Sequence, residues 1–334
     1  MKNYHNFLGI DVSKNTLDYC LADQAGKVVL RGKISNTSAC IAKELKKLLG
    51  EAVVKEELLV AFEYTGIYSC ILSQYLHSEG FSYSEVAAIE IKRSRGLSRG
   101  KSDEIDAQEI AGYARKHPER ITLSSFAEPV YQQLKLMNAE REKLIASIRS
   151  FERSQEAEEY LGRKVYSKIR TLNLHTVAFL KKKLLELEHR MKELLRSDEK
   201  LKQQQDLLKS IPGIGEIGSV YLLLATKGFT RFKTWRKFAC YCGVAPFERS
   251  SGSSIRGKHR VSPFADKKLK SLLHMFSLTA IKYDPELRQY YQRKKEEGKH
   301  SMLVLNNIKC KLVGRIFAVI ERGTPFVKMQ TYSQ

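Results

Sequence analysis

Two short apolar runs near the start of the chain each stop at an acidic residue. Phe7-Leu8-Gly9-Ile10 ends on Asp11, and Leu58-Leu59-Val60-Ala61-Phe62 ends on Glu63. Runs of this length read as strands buried in a sheet, and the first charged residue marks where each strand leaves the core. Around them Thr16–Ala22 and Lys27–Ile34 alternate in polarity as strands do, with Gly26 at the turn between. Cys40–Leu49 and Ile67–His77 read as helices, the second with Gly80 just past its end as a C-cap. Ser82–Ile89 reads as a further strand. A second pair of acids, Asp103 and Asp106, stands in Lys101-Ser102-Asp103-Glu104-Ile105-Asp106-Ala107, where a three-residue spacing puts both on one helix face.

The order strand-strand-strand-helix-strand-helix-strand-helix resembles that of the ribonuclease-H-like fold, and the placement of the acids adds to the resemblance. Adjacent strand ends would bring Asp11 and Glu63 together, with Asp103 and Asp106 on a helix nearby. Hard carboxylate oxygens suit Mg²⁺ (or Mn²⁺), which keeps part of its water shell and so needs few protein ligands. Two such ions can stabilise both the attacking and the leaving oxygen of a phosphate. Gly9, and Thr65-Gly66 after Glu63, are expected to leave room for a ligand. The bland alternative is that acids at strand ends are turn or capping residues.

Charge narrows the partner. Residues 1–200 hold 33 Lys and Arg against 28 Asp and Glu, a net +5, whereas residues 201–334 hold 25 against 9, a net +16. Such asymmetry points to a polyanion, since neutralising phosphates releases counterions. An anionic membrane is the rival, but no basic amphipathic helix with Trp anchors is seen, and no apolar run is long enough to span a bilayer. Nucleic acid is the expected partner, with no membrane. Met1–His5 leads straight into a strand, so no signal peptide is expected, and the six scattered cysteines read as reduced thiols of a cytoplasmic protein.

Basic segments supply candidate contacts. Residues 92–101 carry Lys92, Arg93, Arg95, Arg99 and Lys101 in a Gly- and Ser-containing loop that leads into the Asp103/Asp106 pair, well placed to hold a phosphate backbone. Residues 127–200 read as almost wholly helical. Val177, Leu180, Leu184, Leu187, Met191 and Leu194 form a heptad stripe, which fits a coiled-coil arm for dimerisation, a helix packed on its own domain, or a hairpin with the helix at 130–156. Ile211-Pro212-Gly213-Ile214-Gly215 resembles a helix-hairpin-helix turn, in which Gly213 and Gly215 would let backbone N–H groups approach a phosphate; a plain inter-helix turn is the alternative. Trp235, among the cations of Arg231–Lys237, suits either a nucleic-acid surface or the core.

A Ser/Gly segment, Arg249-Ser250-Ser251-Gly252-Ser253-Ser254-Ile255-Arg256-Gly257-Lys258-His259-Arg260, can be a linker that binds phosphate without reacting, through Arg256, Lys258 and Arg260. It can also hold a nucleophilic serine activated by surrounding cations and a metal. Residue chemistry alone leaves both open.

Together, Gly9-Ile10-Asp11-Val12-Ser13-Lys14, Glu63-Tyr64-Thr65-Gly66, the Lys101–Ala107 segment, the Ile211–Gly215 turn and Ser251–Gly257 occur in one order. In that order they resemble the DEDD transposases of the insertion-sequence family numbered one hundred and ten, which includes the Piv-type DNA invertases. The resemblance covers nearly the whole chain. It implies an α/β plus all-α architecture: an RNase H/RuvC-like domain over residues 1–126, a helical coiled-coil segment over 127–200 and a mainly helical transposase domain over 201–334. It implies that Asp11, Glu63, Asp103 and Asp106 hold Mg²⁺ and that Ser251 forms a phosphoserine link to DNA. It implies donor and target DNA as substrates, a structured bridge RNA as guide, and a homo-oligomer, dimer or tetramer, in which one protomer's metal domain meets another's serine. It also implies a bacterial, nucleoid-associated location. From the acids alone, a RuvC-like junction resolvase using metal-activated water is the alternative, and a non-catalytic nucleic-acid-binding protein the third reading.

Overall fold

The computed structural model describes residues 4–51, 53–94, 103–124, 129–153, 157–245, 247–251, 255–260 and 265–327. Within these, Arg93, Asp103, Ser251, Arg256, Lys258 and Arg260 are described by their backbone. The chain forms two compact units, residues 1–126 and 127–334.

The first unit is built on one sheet. Strands β1 (Asn6–Val12), β2 (Thr16–Asp23) and β3 (Val28–Ser35) form an antiparallel meander. Helix α1 (Ser38–Glu51) leads to β4 (Leu58–Glu63), and α2 (Cys70–Ser78) to β5 (Ser82–Val86). Helices α3 (Ala88–Ser94) and α4 (Asp103–Lys116) complete it. The strand order is β3-β2-β1-β4-β5, with β4 parallel to β1 and β5 parallel to β4. This is a mixed α/β sheet with the order expected of an RNase H-like domain.

Alternation in the strands assigns the two faces. Leu8, Ile10, Val12, Leu17, Tyr19 and Leu21 pack with Ile41 and Leu45 of α1 and Leu72 and Leu76 of α2. On the other face Phe7, Leu59, Ala61 and Val86 pack with Ile110, Tyr113 and Ala114 of α4. Because the period of a strand is two, Asp11 and Glu63 share this second face.

Two local readings need correction. The strand expected to run to Ile89 ends at Val86, because α3 begins at Ala88. Lys92 and Arg93 therefore sit on a helix rather than in a loop, with Lys92 exposed. The helix expected from Ile67 begins at Cys70, after a turn through Gly66, whose φ is +71°.

The second unit is mainly helical. It comprises α5 (Pro129–Arg153), α6 (Ala157–Leu161), α7 (Arg163–Ser197), α8 (Glu199–Lys209), α9 (Glu216–Thr226) and α10 (Trp235–Tyr241). A two-stranded antiparallel hairpin, β6 (Phe247–Ser251) and β7 (Ile255–Arg260), precedes α11 (Lys267–Tyr283), α12 (Pro285–Glu296) and α13 (Ser301–Arg322). Asp198, Asp266 and Asp284 cap α8, α11 and α12, each accepting from the backbone N–H three residues on.

The heptad stripe of α7 packs inside the chain. Met191 is 2% exposed, and Leu187, Met191 and Leu194 join a core with Leu134 of α5, Leu201 and Leu208 of α8 and Ile308 and Leu312 of α13. Arg141 pairs with Glu188 at 2.7 Å and Lys181 with Glu152 at 2.8 Å, so α5 and α7 run antiparallel as a hairpin.

Candidate active site

The two strand-end acids are set by register. Residues Asn6 to Ile10 of β1 pair in parallel with Leu58 to Phe62 of β4, so the next residues, Asp11 and Glu63, come side by side at the ends of these neighbouring strands. Both are partly buried.

Helix α4 completes the arrangement through a contact only glycine allows. A Cβ on Gly9 would lie 2.2 Å from the Ala107 carbonyl oxygen and 2.3 Å from the Ala111 nitrogen. The space at Gly9 is therefore filled by α4, not left for a ligand as expected. Toward the start of β1, Phe7 packs with Ile110, Tyr113 and Ala114, so α4 runs antiparallel to β1. Its first turn, with Asp103 and Asp106, consequently lies at the strand end that carries Asp11. Asp106 neighbours the very residue, Ala107, that touches Gly9. Tyr113 Oη also donates to Glu90 Oε2 at 2.5 Å, tying α4 to α3. Burial, then the Glu90 hydrogen bond and charge, raise the Tyr113 pKa far above the usual phenol value, so it stays a donor.

The donor set fits a hard divalent cation: carboxylates supplied from β1, β4 and α4 at one end of one sheet face. Among the described residues no three His, Cys, Asp or Glu side chains converge tightly enough to hold a metal ion by themselves. The Asp103 side chain lies outside what is described.

A fifth acid escaped sequence reasoning. Asp18 is the cross-strand partner of Asp11, shares its face, and is 3% exposed. Its Oδ2 lies 3.0 Å from Lys33 Nζ on β3, the residue registered against it. The available signal was a charged residue at a core-facing position of an otherwise apolar strand.

Of the basic contacts expected near this site, Lys92 is exposed on α3, the Arg93 backbone is helical, and Arg95, Arg99 and Lys101 lie outside the described residues. Gly213 has a positive φ of 99°, and a Cβ there would meet the Phe276 carbonyl at 2.4 Å. Packing against α11 accounts for that glycine. Gly215 begins α9 with no side-chain cap and open space around its Cα. Glu216 in the next position already places a carboxylate at that helix end, held by Lys192 at 3.1 Å and Lys209 at 3.3 Å. The Lys192 hydrogen bond, foremost, keeps the Glu216 pKa below its usual value. Trp235 packs partly buried on the core with the Arg236 guanidinium 4.9 Å above its ring. Arg231 lies 4.7 Å over Tyr241 and 5.1 Å over Phe232.

The Ser/Gly segment is a hairpin rather than a linker. Ser251 ends β6 opposite Ile255, and Arg249 pairs with Gly257. Arg256, Lys258 and Arg260 lie along β7; Gly252, Ser253 and Ser254 lie outside the described residues.

Comparison with known proteins covers both units. Residues 205–292 match the family model described as "Transposase IS116/IS110/IS902 family". Residues 8–157 match the IS110-type DEDD model, described as "Transposase". The chain is 24% identical over 327 residues to the pilin gene-inverting protein of Moraxella bovis, covering 96% of this chain and 98% of that one. It is 22% identical over 358 residues to the insertion element IS116 uncharacterized 44.8 kDa protein of Streptomyces clavuligerus, covering 87% and 88%. The insertion element IS900 uncharacterized 42 kDa protein of Mycobacterium paratuberculosis is 35% identical over 102 residues, or 30% of this chain and 25% of that one.

Proposed function

The chain belongs to the IS116/IS110/IS902 family of transposases, and from that premise we propose a division of labour in which an acid group activates DNA and a serine breaks it. The family relationship makes this an enzyme that cleaves and rejoins DNA. The single observation that carries the site reading is the approach of β1, β4 and the start of α4 at one end of the sheet.

Asp11, Glu63, Asp103 and Asp106 hold a divalent metal, Mg²⁺ by the hardness of its ligands. When bound, such an ion neutralises phosphate charge and lowers the pKa of a nearby hydroxyl. Ser251 Oγ attacks the scissile phosphorus, losing its proton; the P–O bond to the adjoining deoxyribose breaks and the freed strand hydroxyl takes up a proton. Attack by a hydroxyl of the exchanged strand then reverses the chemistry and restores the serine, so no phosphodiester energy is lost. Arg256, Lys258 and Arg260 neighbour the serine in the same hairpin and suit the contacted phosphates.

Partners follow from charge and exposed surface. The net +16 of residues 201–334 supports binding of a nucleic acid and is compatible with holding a structured guide RNA as well as DNA. Val165, Ile169, Leu172 and Phe179 form an exposed apolar stripe on α7 at heptad-like spacing, which supports self-association. In this reading 1–126, 127–200 and 201–334 act as metal, helical and serine-bearing parts, with the nucleophile supplied to another protomer's acids. No described helix is long and apolar enough to cross a membrane.

The test is a pair of variants on supercoiled substrate with Mg²⁺. Wild type should give a protein–DNA adduct on denaturing gels. Ser251→Ala should give neither adduct nor strand transfer, and Asp11→Ala should lose both. Normal cleavage by Ser251→Ala would instead identify a water-using nuclease.

A further inference from the structure

Lys309 stands in the middle of α13, is 4% exposed, and forms no ion pair with an acid among the described residues. Buried lysines are rare unless paired, because a desolvated ammonium without a counter-charge is costly. Here the acting groups are burial itself, the like charge of Lys270 on α11, and Cys310. Burial first, then Lys270, hold the Lys309 pKa below the ordinary lysine range.

The position of this lysine pair gives it meaning. Asn306 Nδ2 donates to the Val244 carbonyl at 2.8 Å, and the Cys310 thiol reaches the same oxygen at 3.2 Å. On the other side, a Cβ built at Gly243 would lie 3.7 Å from the Lys270 stem and 2.3 Å from Ala265. The Asp266 N–H donates to the Tyr241 carbonyl at 3.0 Å. The chain enters the β6–β7 hairpin through Val244 and Ala245 and returns from it at Ala265 and Asp266. Thus Asn306 and Cys310, the helical neighbours of Lys309, hold one root of the hairpin that carries Ser251, and the Lys270 stem lies beside Gly243 at the same root. The nearby acid, Asp266, is engaged in capping α11 through Leu269 N–H and in accepting from Tyr241 Oη.

We propose that Lys309 and Lys270 form an anion seat at the root of the serine hairpin, filled by a phosphodiester of the bound nucleic acid. A buried cation with no acid partner among the described residues is then a half-made ion pair, completed when the strand is in place. The seat couples binding of that strand to the footing of the hairpin. This rests on the reading that the hairpin delivers the nucleophile, but it concerns binding and not cleavage.

The test uses the full chain without Mg²⁺. Affinity for a 5′-labelled non-specific DNA duplex and for a labelled single-stranded RNA is measured by anisotropy over a range of salt. Lys309→Met keeps volume and removes charge; Lys270→Gln changes a partly buried neighbour and serves if the first variant fails to fold. Each variant should lower the slope of log K against log salt by about 0.9 for a lost duplex contact or about 0.7 for a single-stranded one. Loss on DNA alone assigns the seat to the DNA strand, and loss on RNA alone to the guide. A folded Lys309→Met with unchanged affinity and slope on both overturns the proposal. Because no adduct is read, this failure is separate from a failure of Ser251 as nucleophile, which the cleavage assay reports.

Discussion

At the scale of single residues, Gly9 is the most exacting position in the first unit. Its replacement by alanine drives a methyl into the α4 backbone at two atoms, 2.2 and 2.3 Å away, with no side chain able to yield. Gly9→Ala should cost roughly 1–3 kcal/mol or more in urea unfolding, the range of core overpacking. It should also abolish metal-dependent cleavage even where the domain stays folded, since α4 carries Asp106. A second residue-scale expectation concerns Glu142. Burial favours its neutral form, but hydrogen bonds from Lys268 and Tyr221, with the charges of Lys268 and Arg141, win and hold its pKa below the usual value. A depressed carboxylate pKa contributes stability above the unfolded-state value and loses it as pH falls through the folded one. Glu142→Gln should therefore be less stable than wild type at neutral pH, the difference closing under acid, as thermal melts over a pH series would report. Tyr221, pushed up to about 12 by burial and by Glu142, remains a donor throughout this range.

At the scale of elements, α7 has one face in the core and one exposed apolar stripe. Met191→Ala opens a cavity in the shared core and should cost about 2–5 kcal/mol. Ile169→Lys with Leu172→Lys changes an exposed stripe, Leu172 being 65% exposed, and should leave the melting temperature within about a degree or two. The same double variant should shift sedimentation toward monomer; an unchanged oligomer would remove the stripe as the seam. What was legible here follows from pattern strength. Strands β1 and β4 were plain because unbroken apolar runs stop at Asp11 and Glu63. The end of β5 is hidden because Val86, Ala87, Ala88 and Ile89 form one apolar run with no charge or glycine to mark where strand gives way to helix. The β6–β7 hairpin was hidden because Ser, Arg and Gly give no alternation of polarity, so strand pairing left no trace in the residue types. Asp18 and Lys309 show the converse: single charged residues inside apolar patterns, visible in sequence but without meaning until register and helix packing supplied neighbours. Gly9 is visible in the sequence but its occupant is not, because a strand does not announce which helix will cross it.

At the scale of the whole molecule, the proposal places acids and serine in separate units and separate protomers. Mixing Asp11→Ala with Ser251→Ala tests this directly. A site shared between protomers leaves one intact combination in each mixed dimer, so adduct formation should return. A site confined to one protomer leaves every site with a defect, and the mixture should be as inactive as its components. Denaturing gels with differently sized subunits would show which partner carries the adduct: the Asp11→Ala chain.

The contact between Gly9 and the α4 backbone has a wider consequence. Peptide groups have no rotamers, so the separation of β1 from α4 is fixed by main chain meeting main chain. Most side chains in that core can then drift in size and shape without changing the spacing of the acids. For the same reason, libraries that randomise the apolar residues around the site are expected to retain activity far more often than libraries that include position 9.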